Sequence, residues 1–217
     1  MLDWGSRPMS LNFMARLGFI AATILLPATL LNAALPTPSD APDRGSLAGR
    51  LLIAAPTMSD PRFHHAVILM VRHNQTGALG IVVNQPLGDR PLAALLGALG
   101  EKDSAVTGTV RIFVGGPVQP EIGFVIHGTD YQRPDTVAID GHLAMTSSRE
   151  IFRDIANGQG PIKRLVAFGY AGWAPGQLES ELGQRFWFTT PADPKLVFEA
   201  DRDKVWDEAM KRRTQDL

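Results

Sequence analysis

Residues Ala66–Asn84 read AVILMVRHNQTGALGIVVN, and this stretch decides the fold. Two apolar, β-branched runs, Ala66–His73 and Ala78–Asn84, flank Asn74-Gln75-Thr76-Gly77. Asn and Gly tolerate positive φ, so the tetrapeptide reads as a turn and the runs as a hairpin. The first run is too apolar to be half-exposed along its whole length.

Upstream, Arg50–Ala55 (RLLIAA) reads as a strand ended by Pro56, and Pro56–Pro61 (PTMSDP) as a loop held by two prolines. Downstream, Gln85-Pro86 is expected to end the hairpin's second strand. Pro91–Leu99 reads as a short helix, with Pro91 in the first turn and Gly100 just past the end. Arg111–Val114 is a predicted strand, followed by Gly115-Gly116-Pro117. Gly123–His127 is another strand, expected to pair with it. Val137–Ile139 and Leu143–Thr146 are short strands around an Asp140-Gly141 turn. Ser147-Ser148-Arg149-Glu150 has the pattern of a capping box, starting a helix through Ala156 that Asn157-Gly158 closes. Arg164–Tyr170 and Phe186–Thr190 read as strands and Gln177–Leu182 as a short helix. The last helix is predicted from about Arg202 to Arg213, with Val205, Trp206, Ala209 and Met210 on its buried side. Hairpins in sequence and few, short helices give class α+β, not the strict alternation of a doubly wound sheet.

The first 45 residues differ in kind. No charge lies between Arg16 and Asp40, and Leu17–Leu35 is apolar apart from two Thr and one Asn. Arg16, the apolar run and the small residues near Ala33-Ala34 resemble a secretory signal. The run also approaches the roughly 20 residues of a membrane span. A mis-assigned start, with Met9 or Met14 as the true one, is the competing account. Pro36–Ser46 (PTPSDAPDRGS) reads as a linker without regular structure. The domain expectation is therefore 1–46 as leader plus linker and 47–217 as one domain.

Composition excludes several function classes. The chain has 217 residues, 21 Lys+Arg and 22 Asp+Glu. Three of each sign fall before residue 46, leaving 18 and 19 in the core. No basic excess favours nucleic acid, so direct DNA contact is not expected. The cysteine count is zero, which removes disulfides, thiolate metal sites and cysteine nucleophiles.

The remaining candidate sites are few. His64 and His65 are adjacent, so on an extended segment their rings should point to opposite faces. His73 and His127 each close an apolar strand, where an imidazole hydrogen-bonds the backbone. No His pair has helical metal spacing, and no metal or cofactor is expected. None of the core serines sits in the G-x-S-x-G context of a nucleophile. Gly115-Gly116 reads as a tight turn that lets backbones approach, not as a phosphate cradle. Thr146, Ser147, Ser148 and Arg149 combine hydroxyls, a helix start and a cation, which suits an anion, although capping alone explains them. Lys211-Arg212-Arg213 reads as a solvated helix end. Gly169–Glu179 (GYAGWAPGQLE) alternates glycines with Tyr170 and Trp173; it reads as a packed corner, with a partner-binding patch as the alternative.

Together, Leu51–Leu87, VGGPV (Val114–Val118), GFVIHG (Gly123–Gly128), MTSS (Met145–Ser148), FGYAGWAPGQLESEL (Phe168–Leu182), FWFTTPAD (Phe186–Asp193) and VWDEAM (Val205–Met210) resemble the YqgE/AlgH family of bacterial proteins. The match runs in order over about residues 47–212. It implies a strongly bent sheet forming a pseudo-barrel with helices outside. It implies a regulatory role named for transcription, no established enzyme activity and a cytoplasmic location; an unknown protein partner is expected separately, from the loops. Export or anchoring through residues 17–35 is the alternative. Many relatives carry Cys-Glu where this chain has Val71-Arg72, so any thiol chemistry suggested for them is closed here. Candidate ligand or partner residues are His73, Asn74, Gly115, Gly116, His127, Thr146, Ser147, Ser148, Arg149, Tyr170 and Trp173. A non-catalytic interaction protein, with Pro56–Pro61, the Gly115–Pro117 loop and Gly169–Glu179 as candidate surface, is the leading expectation; a small-molecule or nucleotide binder using His73, His127 and the Ser147–Arg149 start is the rival.

Overall fold

The structure, a computed structural model, describes residues 45–98, 100 and 106–214. The leader, residues 1–44, lies outside the described residues. The predicted hairpin is present as β2 (Val67–Asn74) and β3 (Gly77–Val82), paired antiparallel with Leu69 opposite Ile81. The ladder shifts register between Met70 and Arg72. Asn74 Oδ1 accepts from the Thr76 amide at 2.9 Å, closing the turn.

β1 (Arg50–Ala54) lies outside β2, and β10 (Trp187–Pro191) outside β1, all antiparallel. On the other flank β3 pairs with the end of β9 (Arg164–Trp173). β6 (Val118–Gly128) runs antiparallel to β9, followed by β8 (Leu143–Thr146) and β7 (Val137–Ala138). β5 (Thr109–Val114) is parallel to β9, and β4 (Pro86–Pro91) pairs with β5. The result is a mixed α+β fold with a curled, largely antiparallel sheet forming a half-barrel. The helices are short: α1 (Leu92–Ala98), α2 (Arg149–Ala156), α3 (Gln177–Gly183), α4 (Pro194–Phe198) and α5 (Val205–Lys211).

The unbroken apolar run of β2 follows from burial on both faces. Val67, Leu69 and Val71 join a core with Ile126, Leu165, Leu196 and Val205. Ile68 and Met70 point the other way, into a cluster with Trp173, Leu178 and Trp187. Two covered faces need no polar alternation. A third cluster packs Leu95 of α1 and Phe152 of α2 on Val125 and Val166.

Four expectations are corrected. β6 does not pair with β5; β9 lies between them, bonded to both. β3 ends before Pro86 as expected, but Pro86 begins β4, an unpredicted exposed strand whose last residue, Pro91, was expected in the first turn of the helix. The last helix starts at Val205, not Arg202, because Asp201–Lys204 turn in order to follow α4, itself unpredicted. The capping box does not form: Ser148 is the N-cap residue, without a side-chain cap bond, and its amide donates to Asp135 Oδ2 at 3.0 Å. A carboxylate from the preceding loop takes the place of the Ser147–Glu150 exchange.

The link between β5 and β6 must cross β9. It does so at Gly115-Gly116, whose backbone lies against Gly169 and Tyr170. The Gly115 amide donates to Phe168 O at 2.7 Å, and Gly115 O accepts from Val82 at 2.8 Å. A Cβ on Gly115 would sit 2.2 Å from Gly169 O, and one on Gly116 2.1 Å from the Tyr170 carbonyl carbon. Gly116→Ala is therefore expected to lose at least about 3 kcal/mol in chemical denaturation, because backbone must move. Gly141→Ala, where a Cβ meets nothing within 4 Å, should stay within about 0.5 kcal/mol. Equal losses in the two variants would refute the crossing.

Candidate functional site

Three segments distant in sequence converge beside the crossing. Met58, Ser59 and Asp60 come from the Pro56–Pro61 loop, Pro117 from the crossing, and Trp173 and Gln177 from the Gly169–Glu179 stretch. They line a groove of about 340 Å³, completed by Phe63, Glu181, Phe186 and Trp187. Its floor is rigid. One oxygen of Glu181, Oε2, accepts from the indole N–H groups of both Trp173 (2.9 Å) and Trp187 (2.7 Å). Gln177 donates to the other oxygen at 2.9 Å. The two indoles meet edge to face with centroids 6.0 Å apart, and Phe63 meets Trp187 likewise at 5.6 Å. At the rim Arg62 pairs with Asp60, and its hydrogen bond holds that carboxyl below its ordinary value. Phe186 is one of the few large apolar side chains left open, at 38% exposure. Trp173 itself is buried, so the packed-corner reading holds for it. Tyr170 is half-buried, edge to face with Phe124.

His127 lies at the other end of β9's ladder, opposite Arg164 and fully buried. Its Nδ1 is 2.7 Å from Gly128 O and its Nε2 2.9 Å from Thr146 Oγ1. A carbonyl only accepts, so Nδ1 carries the proton and Nε2 accepts from the Thr146 hydroxyl. Thr146 Oγ1 then accepts from Thr136 at 2.7 Å, and Thr136 Oγ1 from the Arg133 amide at 2.9 Å. Every donor in this chain has one direction. Burial holds the His127 pKa below 6.5, more strongly than the Gly128 bond and Asp130 raise it. Beside it, Tyr131 (2.6 Å) and Arg133 both donate to Asp154 Oδ2. Burial raises the Asp154 pKa, but these donors outweigh it and leave the carboxyl below its ordinary value.

The candidate residues are thus divided rather than assembled. His73 accepts from the Leu47 amide at 3.1 Å through Nδ1 and meets Glu179 at 3.0 Å through Nε2. Asn74 is spent on its turn. His127 and Thr146 share one hydrogen-bonded chain, and Ser148 and Arg149 start α2 nearby; the Ser148 amide is already bonded to Asp135. Ser147 lies between β8 and α2. Gly115 and Gly116 are filled by the crossing. The His64 and His65 rings do not point apart: they stack at 4.0 Å, and His65 stacks on Trp206 at 4.2 Å. A left-handed His65, φ 52°, turns the second ring back onto the first. In the basic triplet, Arg212 pairs with Asp193 and Arg213 lies over Phe188. Among the described residues, no group of three or more His, Asp or Glu is placed to hold a metal ion.

Sequence reasoning missed Glu181, Asp135, Tyr131 and Asp154. Each is a lone polar residue in an ordinary helix or loop context, and only the partner that the fold brings to it marks it.

The curled mixed sheet with short helices defines an α+β half-barrel protein, and comparison places it further. The family model described as AlgH-like matches residues 51–217. A UPF0301 protein of Rhodospirillum rubrum is 44% identical over 161 residues, covering 74% of this chain and 84% of the relative. One from Afipia carboxidovorans is 42% identical over 182 residues, covering 79% and 85%. The solution structure of the AlgH protein from Pseudomonas aeruginosa matches with TM-score 0.69 and 38% identity, covering 79% of this chain and 91% of that one. Protein DIP2367 of Corynebacterium diphtheriae, at 21% identity and TM-score 0.60, shares the fold. The chain belongs to the AlgH-like family.

The buried imidazole sets a pH dependence. As pH falls through 6.5, the unfolded His127 takes up a proton while the folded one resists. The unfolded state then binds more protons, so this stability is present above 6.5 and lost toward acid, at up to about 1.4 kcal/mol per pH unit. Denaturation from pH 7.5 to 5 should show this slope in the parent and a flatter one in His127→Asn. The same slope in both would refute it.

Proposed function

We propose that this chain is a non-catalytic regulatory and interaction protein that holds a protein partner in the groove of Met58, Pro117 and Phe186. The observation that carries the reading is the convergence of three loops on one rigid, aromatic-floored groove. Loops on a rigid scaffold are where binding residues gather. The side chains best suited to catalysis are engaged inside the protein: both nitrogens of His127 and of His73 are bonded. The small-molecule reading needs His73, His127 and the α2 start to face one ligand, yet the two imidazoles have no bonding partner in common. Any effect on transcription is read as passing through the partner, since the near-neutral charge gives no basic excess that favours DNA. Family resemblance supports a cytoplasmic place of work. Among the described residues, no helix is long and apolar enough to cross a membrane.

A photoreactive phenylalanine analogue, placed at Phe186 or Pro117 of the full chain in its native cells, tests this. One protein adduct of the same mass is expected from both positions and from the cytoplasmic fraction. Ile162, 84% exposed before the far end of β9, is the control. Phe186→Ser should cut the Pro117 adduct about tenfold with an unchanged unfolding midpoint. Adducts equally strong from Ile162, none from the groove, or an adduct confined to the membrane or exported fraction would contradict the proposal.

A further inference from the structure

The groove of Met58, Pro117 and Phe186 carries one charge that nothing cancels. Its charged lining is Asp60, Arg62 and Glu181. Arg62 and Asp60 answer each other: Nε donates to Asp60 Oδ1 at 3.0 Å and Nη2 to Oδ2 at 2.6 Å. Glu181 is different. Its three donors, the indoles of Trp173 and Trp187 and the Gln177 carboxamide, are all neutral. They satisfy its oxygens and leave its negative charge in place. No Lys, Arg or His pairs with this half-buried carboxylate among the described residues. Charges withdrawn from water are as a rule paired.

The walls also suit a cation. Phe63, Phe186 and the two indoles bring aromatic rings to the same groove, and Met58 adds a polarizable thioether. A cation is attracted to an aromatic face within about 6 Å of the ring centroid. One already sits so here: the Arg62 guanidinium carbon lies 5.8 Å from the Phe63 centroid. Aromatic rings around a carboxylate are the surroundings that recognise an ammonium or guanidinium group. The oxygens choose between these two. A carboxylate has about four acceptor positions. The indoles take both on Oε2, and Gln177 takes one on Oε1. The position left over suits a single N–H contact. It is too little for the two parallel bonds with which a guanidinium grips a carboxylate.

We propose, resting on the reading of this groove as the partner site, that it is a cation site which takes a lysine side chain of the partner protein. The ammonium meets Glu181, and the aromatic walls hold the methylene stem.

The probe is a blocked pentapeptide with lysine at its centre and glycine elsewhere. It is titrated into the full chain while the indole N–H resonances of Trp173 and Trp187 are followed by NMR. Both should shift together and saturate at millimolar peptide. Acetylating the lysine keeps its length and removes its charge, and should weaken binding about tenfold or more. Gln177→Lys should weaken it similarly, because an ammonium one helical turn away then occupies Glu181. That variant keeps both indole bonds to Glu181, so an unchanged unfolding midpoint separates its effect from loss of the floor. No shift at either indole, an acetylated peptide that binds as well, or an arginine peptide that binds more tightly would overturn the proposal.

The photoadduct from Pro117 distinguishes this site from the partner reading beneath it. In Gln177→Lys the adduct should fall about tenfold. An adduct at full strength in that variant keeps the partner in the groove and overturns the lysine. Lysine-peptide binding without any adduct in the parent supports the cation site and sinks the partner reading.

Discussion

Two consecutive strands that flank a third must be joined by chain that crosses the third, and here that crossing has almost no room. The Gly115-Gly116 backbone lies so close to Gly169 and Tyr170 that any side chain there would overlap main-chain atoms. The rest of the sheet depends on this contact. It lets β9 hold β5 and then β3 along one side while β6 runs along the other. It also delivers Pro117 to the mouth of the groove and leaves β9 free to continue to Trp173, whose indole anchors the groove floor through Glu181.

Polar groups inside this scaffold are arranged to hold shape. The directed chain from Arg133 through Thr136 and Thr146 to His127 ties the loop after β6 to the strands beneath it. Buried polar groups carry a cost unless satisfied, and along this chain each donor finds its acceptor. The surface left open is of a different kind: the loops around Phe186. Rigid interior and open rim together fit a protein that works by contact.

The legible parts of the sequence were those with a strong local signal. The β2–β3 hairpin announced itself through two apolar runs and an Asn-Gly turn, and Gly115-Gly116 announced close approach. What the glycines approach was not legible, because the β9 partner lies about fifty residues downstream, and so β6 was expected beside β5. β4 carries polar residues between two prolines, a pattern that reads as loop until β5 is beside it. The three groove segments were picked out together as candidate surface from their Gly and Pro content; the way they meet around Trp173 and Trp187 is a fact of topology. Asp135 and Glu181 had no signal at all, since a carboxylate acquires its role only from the amide or indoles brought to it. Residues such as Ser147 matched a capping pattern that a carboxylate from another loop displaced.

Native-state amide exchange tests the crossing most directly. The Gly115 amide, bonded to Phe168, and the Val82 amide, bonded to Gly115, sit at its centre. If the sheet depends on this contact, both amides exchange only through global unfolding, with the same free energy as denaturation gives. Exchange of either amide by local opening, well below that global value, would contradict the account.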